Sequence, residues 1–376
     1  MSVIVFHSGF IKIIKINVVY CAIVCIFVVQ SSNTLMAEKR ITIKDIAKEL
    51  GVTASTVSRA LAGNRRISPA TRNRVTEAAA AMGYEPNIIA SSLRKGKSDL
   101  IGMIVPGINR SYFSKVISGV EEILNPAGLN LIISQTHENY ENEKRAVQAL
   151  LRNRVGGIII SLSVQTKEFG HLSDIVKQGV PMIQFDRICK DIDGTKIVND
   201  NYMGAYLAVK HLLKSGYRRI AHFTGSLRLN VYLERLNGYK SALDEAGIEY
   251  DERLVFENSI TRETGRQNID IAIKELEADA LFSSGDFSAL GALDKLKELN
   301  VKIPDDFGVV GFANEPFSEL MHPTLSSVEQ NPHVMGNRIA QSVIKTIKGE
   351  KDIENVTIPV RLIVRESSSV RAELNI

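Results

Sequence analysis

Only three cysteines, Cys21, Cys25 and Cys189, occur in the 376 residues. They form no disulfide framework and show no metal-ligand spacing, and such sparse use fits a reducing compartment. His137, His171, His211, His222, His322 and His333 are equally scattered. Each reads as a packing or surface histidine, not as a ligand or proton carrier. The chain has no P-loop, no GxSxG, no HExxH and no Rossmann fingerprint. RVGGIII (Arg154–Ile160) is a glycine turn into a strand, not a phosphate cradle. No catalytic residue, metal site or cofactor is therefore expected. Low-complexity tracts are missing too, and no leucine heptad follows RESS at the C-terminus to build a tetramer.

Long apolar runs are scarce as well. The one candidate, Ile16–Val29, falls short of the roughly 20 residues that span a bilayer. Lys12 and Lys15 before it give the basic flank of a secretory segment, but QSSNTL after it offers no small-x-small cleavage site. Residues 1–35 are expected to lie upstream of the true start, with a cytoplasmic product beginning at Met36. Translated in full, the same stretch would make the protein membrane-associated.

What is present is an uneven charge. The net is only +4, yet residues 38–97 hold twelve Lys/Arg against five Asp/Glu, a surplus of +7. With Lys12 and Lys15 adding two, about −5 is left for residues 98–376. A small basic unit beside a larger acidic one is the asymmetry expected when only the small one meets phosphates. The length allows two or three domains.

The basic region carries the most ordered pattern, TIKDIAKELGVTASTVSRAL (Thr42–Leu61). Thr42 with Asp45 three residues on makes a capping box, and Ile43, Ile46, Ala47 and Leu50 form one apolar helical face. Gly51 breaks that helix and Thr53 caps the next. The second helix turns Val57 and Leu61 inward and Ala54, Ser55, Ser58 and Arg59 outward. Two short helices around a glycine turn make a helix-turn-helix, and the small, basic outer face suits a DNA major groove. Ser68-Pro69 opens a third helix with Val75, Ala78, Ala79 and Met82 inside and Gly83 at its end.

Residues 86–97 are a connector. Pro86 stops a helix, Asn87 can cap a new one, and NIIASSL (Asn87–Leu93) is too short to hold a helix alone. From Ser98 onward strands and helices alternate. Leu100–Val105, Leu129–Ser134, Gly156–Ser161 and Pro181–Phe185 read as buried parallel strands, with helices between them ending at Gly128, Arg154 and Gly179. A second series holds strands at Arg219–Thr224, Ala278–Ser284 and Phe307–Phe312. Its helices fall near Asn201–Ser215, Asn230–Ala246, Glu263–Leu276 and Phe287–Leu299. Two such series mean two doubly wound α/β subdomains whose strand ends face one cleft. Arg110, Tyr112, Phe113, Asp186, Arg187, Arg235, Asp286 and Asn314 sit at those ends. Carboxylate, amide, guanidinium and aromatic groups converging on one cleft suit a sugar.

Thr42–Leu61, ISPATRNRV and GYEPNIIASSLRKGKS together resemble the headpiece of the LacI/GalR family of bacterial transcription regulators. The resemblance continues to about Ser368. It implies an all-α headpiece over 36–85, a hinge helix over 86–97 and a body of type I periplasmic-binding-protein fold over 98–376. It also implies chain crossings near Val198–Asn201, Val328–Asn331 and Asn355–Ile358, which divide the body into 98–199 with 329–356 and 200–328 with 357–376. The partners implied are double-stranded operator DNA, a second copy in a homodimer, and a sugar or sugar derivative as effector. Thr42, Thr53, Ala54, Ser55, Thr56, Ser58, Arg59, Asn64 and Arg66 are the headpiece positions expected to meet DNA. Asn87, Ala90, Leu93 and Arg94 are those of the hinge, where Leu93 would wedge between base pairs. For the effector the resemblance supports Tyr112, Phe113, Asp186, Arg187, Arg235, Asp286 and Asn314. Two departures stand out. Gly285-Asp286 replaces an Asn-Asp pair, and Ala313-Asn314 has lost a carboxylate, so a relative's effector cannot simply be borrowed. The competing reading, an exported solute-binding protein, has no use for Thr42–Leu93.

Overall fold

The computed structural model describes residues 41–84, 98–350 and 355–369, and the chain divides between Ser91 and Ser92 into two compact units. The apolar run Ile16–Val29 and the hinge positions Asn87, Ala90, Leu93 and Arg94 lie outside the described residues. Among the described residues no helix is long and apolar enough to cross a membrane.

The first unit is three helices, α1 (Ile43–Leu50), α2 (Ala54–Leu61) and α3 (Pro69–Ala81). The Asp45 carboxylate accepts from both the backbone N–H and the hydroxyl of Thr42, at 2.8 and 2.7 Å. Gly51 closes α1 in the left-handed region, φ 66°, which a side chain would resist. Thr53 Oγ1 accepts from Thr56 N at 3.2 Å, and Ser68 Oγ accepts from Thr71 N at 3.2 Å. Each cap satisfies an N-terminal donor that the helix cannot. The core is small: Ile46, Ala47, Val57, Ala60, Val75 and Ala79. Ala60 rather than Leu61 is the second fully buried residue of α2, while Leu61, Ala78 and Met82 border the core. So few buried carbons make this a weakly stable unit by itself.

The second unit holds two six-stranded sheets. The first runs β2 (Asn130–Gln135), β1 (Leu100–Val105), β3 (Gly157–Ile160), β4 (Met182–Phe185), β5 (Thr195–Asn199) and β11 (Asn355–Ile358), all parallel. The second runs β7 (Val255–Phe256), β6 (Ile220–Phe223), β8 (Ala280–Ser283), β9 (Gly308–Phe312), β10 (Ser326–Glu329) and β12 (Arg361–Ile363), with β12 alone antiparallel. Helices α4 (Ser111–Leu124), α5 (Tyr140–Arg152), α6 (Gly170–Lys177) and α11 (Pro332–Lys348) belong with the first sheet. Helices α7 (Asn201–Lys214), α8 (Asn230–Glu245), α9 (Arg262–Lys274) and α10 (Asp286–Glu298) belong with the second. Val/Ile-rich strands such as β3 and β9 are buried along their whole length because helices cover both faces.

Three crossings join the subdomains. Two fall at Asn199–Asn201 and Glu329–Pro332. The third falls at Pro359–Val360, after β11 and not within it: Asn355–Ile358 is itself an edge strand paired with β5. A second difference concerns β2. It is an edge strand, and Ile132 and Ile133 are 37% and 41% exposed, where a buried strand was expected.

The cleft and the recognition helix

The loops that follow the strand ends of the two sheets touch one another, so both sets of carboxyl ends address one shared cleft. Asn230, the first residue of α8, donates to the Asp186 carbonyl and accepts from Ile188 N, both at 3.0 Å. Glu315, after β9, accepts from Ser111 N at the start of α4, 3.3 Å away. The Arg110 guanidinium sits 4.8 Å from the Phe287 ring centroid. At the crossings, Tyr112 donates its hydroxyl to Asn199 Oδ1 at 3.0 Å, and Asn199 Nδ2 donates to the Gln330 carbonyl at 2.6 Å. Tyr112 thus ties the first strand-to-helix turn to two of the three crossings.

Arg235 is a buried charge of the cleft. Its Nε donates to Asn201 Oδ1 at 2.9 Å and its Nη1 to the Ser284 carbonyl at 2.7 Å. Its guanidinium lies 3.6 Å from the centroid of Phe312, a stacked cation–π geometry. Among the described residues no carboxylate oxygen lies within 4 Å of it. Burial lowers its pKa, while Tyr232, Asp186 and Tyr112 work to restore it. Across the cleft, Asp186 adopts a left-handed φ of 57°, a conformation that Asp tolerates better than most residues. Burial pushes its carboxyl up, opposed by Arg187 and Arg235. Ser161, fully buried at the end of β3, lies close enough to help hold that carboxyl down, yet its hydroxyl makes no hydrogen bond of ordinary geometry. Asp186, Arg187, Arg235, Tyr112 and Tyr232 are therefore one electrostatic cluster drawn from both subdomains.

Three of the expected effector residues are engaged by neighbours, and a fourth, Arg187, is bonded to Glu138. Phe113 packs in the core of the first subdomain, edge-on to Tyr112 at 5.3 Å and Phe185 at 6.2 Å, and not on the cleft wall. Asp286 is 1% exposed. Its Oδ2 accepts from Glu315 N (2.7 Å) and Ser318 Oγ (3.2 Å), and its Oδ1 from Ser327 Oγ (2.7 Å). Both of its oxygens brace the loop after β9. Burial raises its pKa and those donors oppose the rise. Gly311 makes the brace possible, since a Cβ there would stand 2.1 Å from Asp286 Oδ1. Asn314 is likewise engaged, donating to Glu329 Oε2 at 2.8 Å and accepting from Arg365 Nη2 at 2.9 Å. Next to it Ala313 holds φ 116°, a strained value for a residue with a side chain.

Sequence reasoning missed Asn199, Asn201, Asn230, Ser161, Tyr232, Glu138 and Glu315. Asn201 and Asn230 were visible only as helix starts. Their role depends on which helix start faces which strand end, and that is set by the crossings. Two histidines are core residues. His171 Nε2 lies 2.8 Å from Oε1 of the fully buried Glu143. His222 is stacked between Tyr239 and Phe282.

In the first unit, Thr42, Thr53, Ser55, Arg59, Asn64 and Arg66 are exposed. Thr56 and Ser58 are half-buried. Ala54, expected on the outer face, is half-buried against the core, so Ser55 and Arg59 dominate that face. Asn64 Oδ1 accepts from Arg66 N at 2.9 Å, an Asx turn that fixes the loop after α2.

Residues 42–87 match the model of bacterial regulatory proteins of the lacI family, and residues 209–368 match that of a periplasmic binding protein-like domain. The HTH-type transcriptional repressor PurR of Vibrio atlanticus (strain LGP32) is 32% identical over 331 residues, covering 88% of this chain and 98% of PurR. Catabolite control protein A of Priestia megaterium is 29% identical, covering 87% of this chain and 99% of its own length. Among solved structures, the lac repressor dimer bound to operator and the anti-inducer ONPF superposes with a TM-score of 0.79 at 25% identity, over 88% of this chain and 100% of that one. The transcriptional regulator CelR in complex with cellobiose gives 0.67 at 28% identity, over 87% and 100%. Likeness on this scale runs through headpiece and cleft body alike, and the chain belongs to the lacI family of bacterial regulatory proteins, DNA-binding regulators of transcription.

Proposed function

We propose that this protein is a cytoplasmic repressor that binds double-stranded operator DNA as a homodimer and releases it when a sugar or sugar derivative occupies the cleft. The observation that carries the effector reading is the pairing of Asp186 with Arg235 across the subdomains, beyond salt-bridge reach of each other and flanked by Tyr112, Tyr232 and Ser161. A polyol bridging them would accept from one and donate to the other. The cellobiose held by CelR supports the same class. Ser55 and Arg59 present the base-reading groups, and Arg59 is long enough for a bidentate contact to guanine. Thr42, Thr53, Thr56, Ser58, Asn64 and Arg66 would serve phosphates, with Ala54 close to a thymine methyl. The apolar edge at Ile132 and Ile133 supports the homodimer, since an uncovered β-edge of this kind invites a partner.

Control follows from closure. A ligand that binds the closed cleft more tightly than the open one shifts the subdomain angle, and any coupling to DNA has that affinity difference as its upper limit. Asn87–Leu93, too short to be helical alone, is the segment whose order such a shift would bias. Calorimetric titration of the protein against a panel of sugars and nucleobases tests the reading. A sugar that binds at micromolar level and weakens operator binding supports it. A purine that binds and strengthens operator binding overturns it.

A further inference from the structure

Arg187, unlike Arg235, is neutralised within the cleft wall. Its Nη1 lies 2.9 and 2.7 Å from Oε1 and Oε2 of Glu138, and also donates to the Leu162 carbonyl at 3.4 Å. Glu138 has a second bond, accepting from Val164 N at 2.8 Å. It stands in the turn after β2, where His137 and Glu138 both adopt left-handed φ values of 54° and 61°. Two consecutive side-chain-bearing residues in that region carry backbone strain, and the surrounding bonds hold it. Thr136 accepts from Asn142 Nδ2 at 2.9 Å, and Gln135 Nε2 meets His137 Nδ1 at 2.8 Å. One carboxylate thus joins the turns after β2, β3 and β4.

The charge count decides what the cleft admits. Arg187 and Arg235 are balanced by Asp186 and Glu138. Asp286 and Glu315 add two further acidic groups behind the second wall, and Arg110, over Phe287 and facing Glu315, adds one base that leaves the count no more positive. With Glu138 in place Arg187 is not available to an incoming anion, whose entry would also face Asp186. We propose that Glu138 is the residue that fixes the charge selectivity of the cleft: by holding Arg187 it makes the site take neutral polyols and refuse phosphorylated or carboxylated ones. This rests on the cleft being the effector site.

The test uses the full-length protein, with D-glucose, D-glucose 6-phosphate and inorganic phosphate as probes, read by calorimetry in low salt. Wild type is expected to bind neither anion measurably. Glu138→Gln keeps an acceptor for Val164 N but frees Arg187, and should gain affinity for both anions by about tenfold or more, the scale of one charge-assisted bidentate contact. Glu138→Ala serves the same end should the amide disturb the turn. In Glu138→Gln/Arg187→Met the gain should vanish. Wild type that binds glucose 6-phosphate as well as glucose overturns the proposal. So does the absence of any phosphate gain in both single variants, or a gain that survives loss of Arg187. A phosphate gain that needs Arg187, with no sugar of the panel binding wild type, leaves Glu138 in its role and overturns the sugar reading instead.

Discussion

Asp286→Ala separates a ligand carboxylate from a bracing one. The wild-type carboxylate is 1% exposed and takes bonds of 2.7, 3.2 and 2.7 Å from Glu315 N, Ser318 Oγ and Ser327 Oγ. It is also the first residue of α10, where the helix N-terminus favours an anion. Alanine would leave a buried backbone N–H and two buried hydroxyls without their acceptor. Hydrogen bonds to a charged group are worth about 1.5–3 kcal/mol each, but the anion's own desolvation offsets part of the sum. The expected net loss is about 3–5 kcal/mol, since each of the three buried donors left unsatisfied costs about 1–3 kcal/mol and relief of the anion's desolvation offsets part of that. At a urea m-value of about 3 kcal/mol/M the midpoint should fall by more than about 1 M. Asp286→Asn keeps one acceptor oxygen and should lose about half as much. Urea unfolding of the body followed by circular dichroism reads both, beside a sugar titration in native buffer. An alanine variant as stable as wild type but unable to bind sugar would refute the reasoning, because it would make Asp286 a ligand group after all.

His222 predicts a pH response. Burial between Tyr239 and Phe282 lowers its pKa to about 4, from an unfolded value of 6.5. The unfolded chain therefore binds the proton first, so stability is full above pH 6.5 and is lost as pH falls towards 4, by up to about 3 kcal/mol. His222→Phe should flatten that window in urea midpoints measured at successive pH values, and an unchanged acid slope would count against it. In the headpiece, Arg59→Ala should cost about 1–3 kcal/mol for the preferred operator and relax selection at one base pair. A binding-site selection profile identical to wild type would contradict that placement. Ser68→Ala should cost the headpiece about 1 kcal/mol through its lost cap, measurable as a lower thermal midpoint of the isolated transition.

The reach of sequence reasoning followed the kind of signal each element carried. Helix ends α1 to α3 were legible because caps and glycines act within four residues, as at Thr42/Asp45, Gly51 and Ser68-Pro69. The buried strands were legible to within a residue or two, since an unbroken apolar run between helices has few other uses. β5, β7, β10, β11 and β12 were not, being short and interrupted by polar or part-exposed positions. The helix at Pro332–Lys348 carried its signal, Pro at N1 with Met335, Ile339 and Val343 four apart, but stood beyond the last expected strand. Asp186 and Arg187 were legible as cleft positions because they follow β4, where strand ends point to a cleft, and Arg235, inside α8, through the resemblance. Whether a side chain there faces ligand or neighbour was not legible. Asp286 and Asn314 look alike in sequence to free cleft groups, yet Ser327 and Arg365, far along the chain, have already claimed them.

If the cleft controls the headpiece, a cleft variant must lose the sugar response and keep the operator. Operator binding by wild type and Arg235→Ala, each titrated with the sugar that binds the cleft, measures it most directly. Removing Arg235 deletes the bonds to Asn201 and Ser284 and the Phe312 stack inside the cleft, and leaves the recognition helix untouched. Operator affinity should be equal for the two proteins without sugar, and sugar should release operator from wild type alone. An Arg235→Ala protein that still lets go of operator at wild-type sugar concentrations would contradict it.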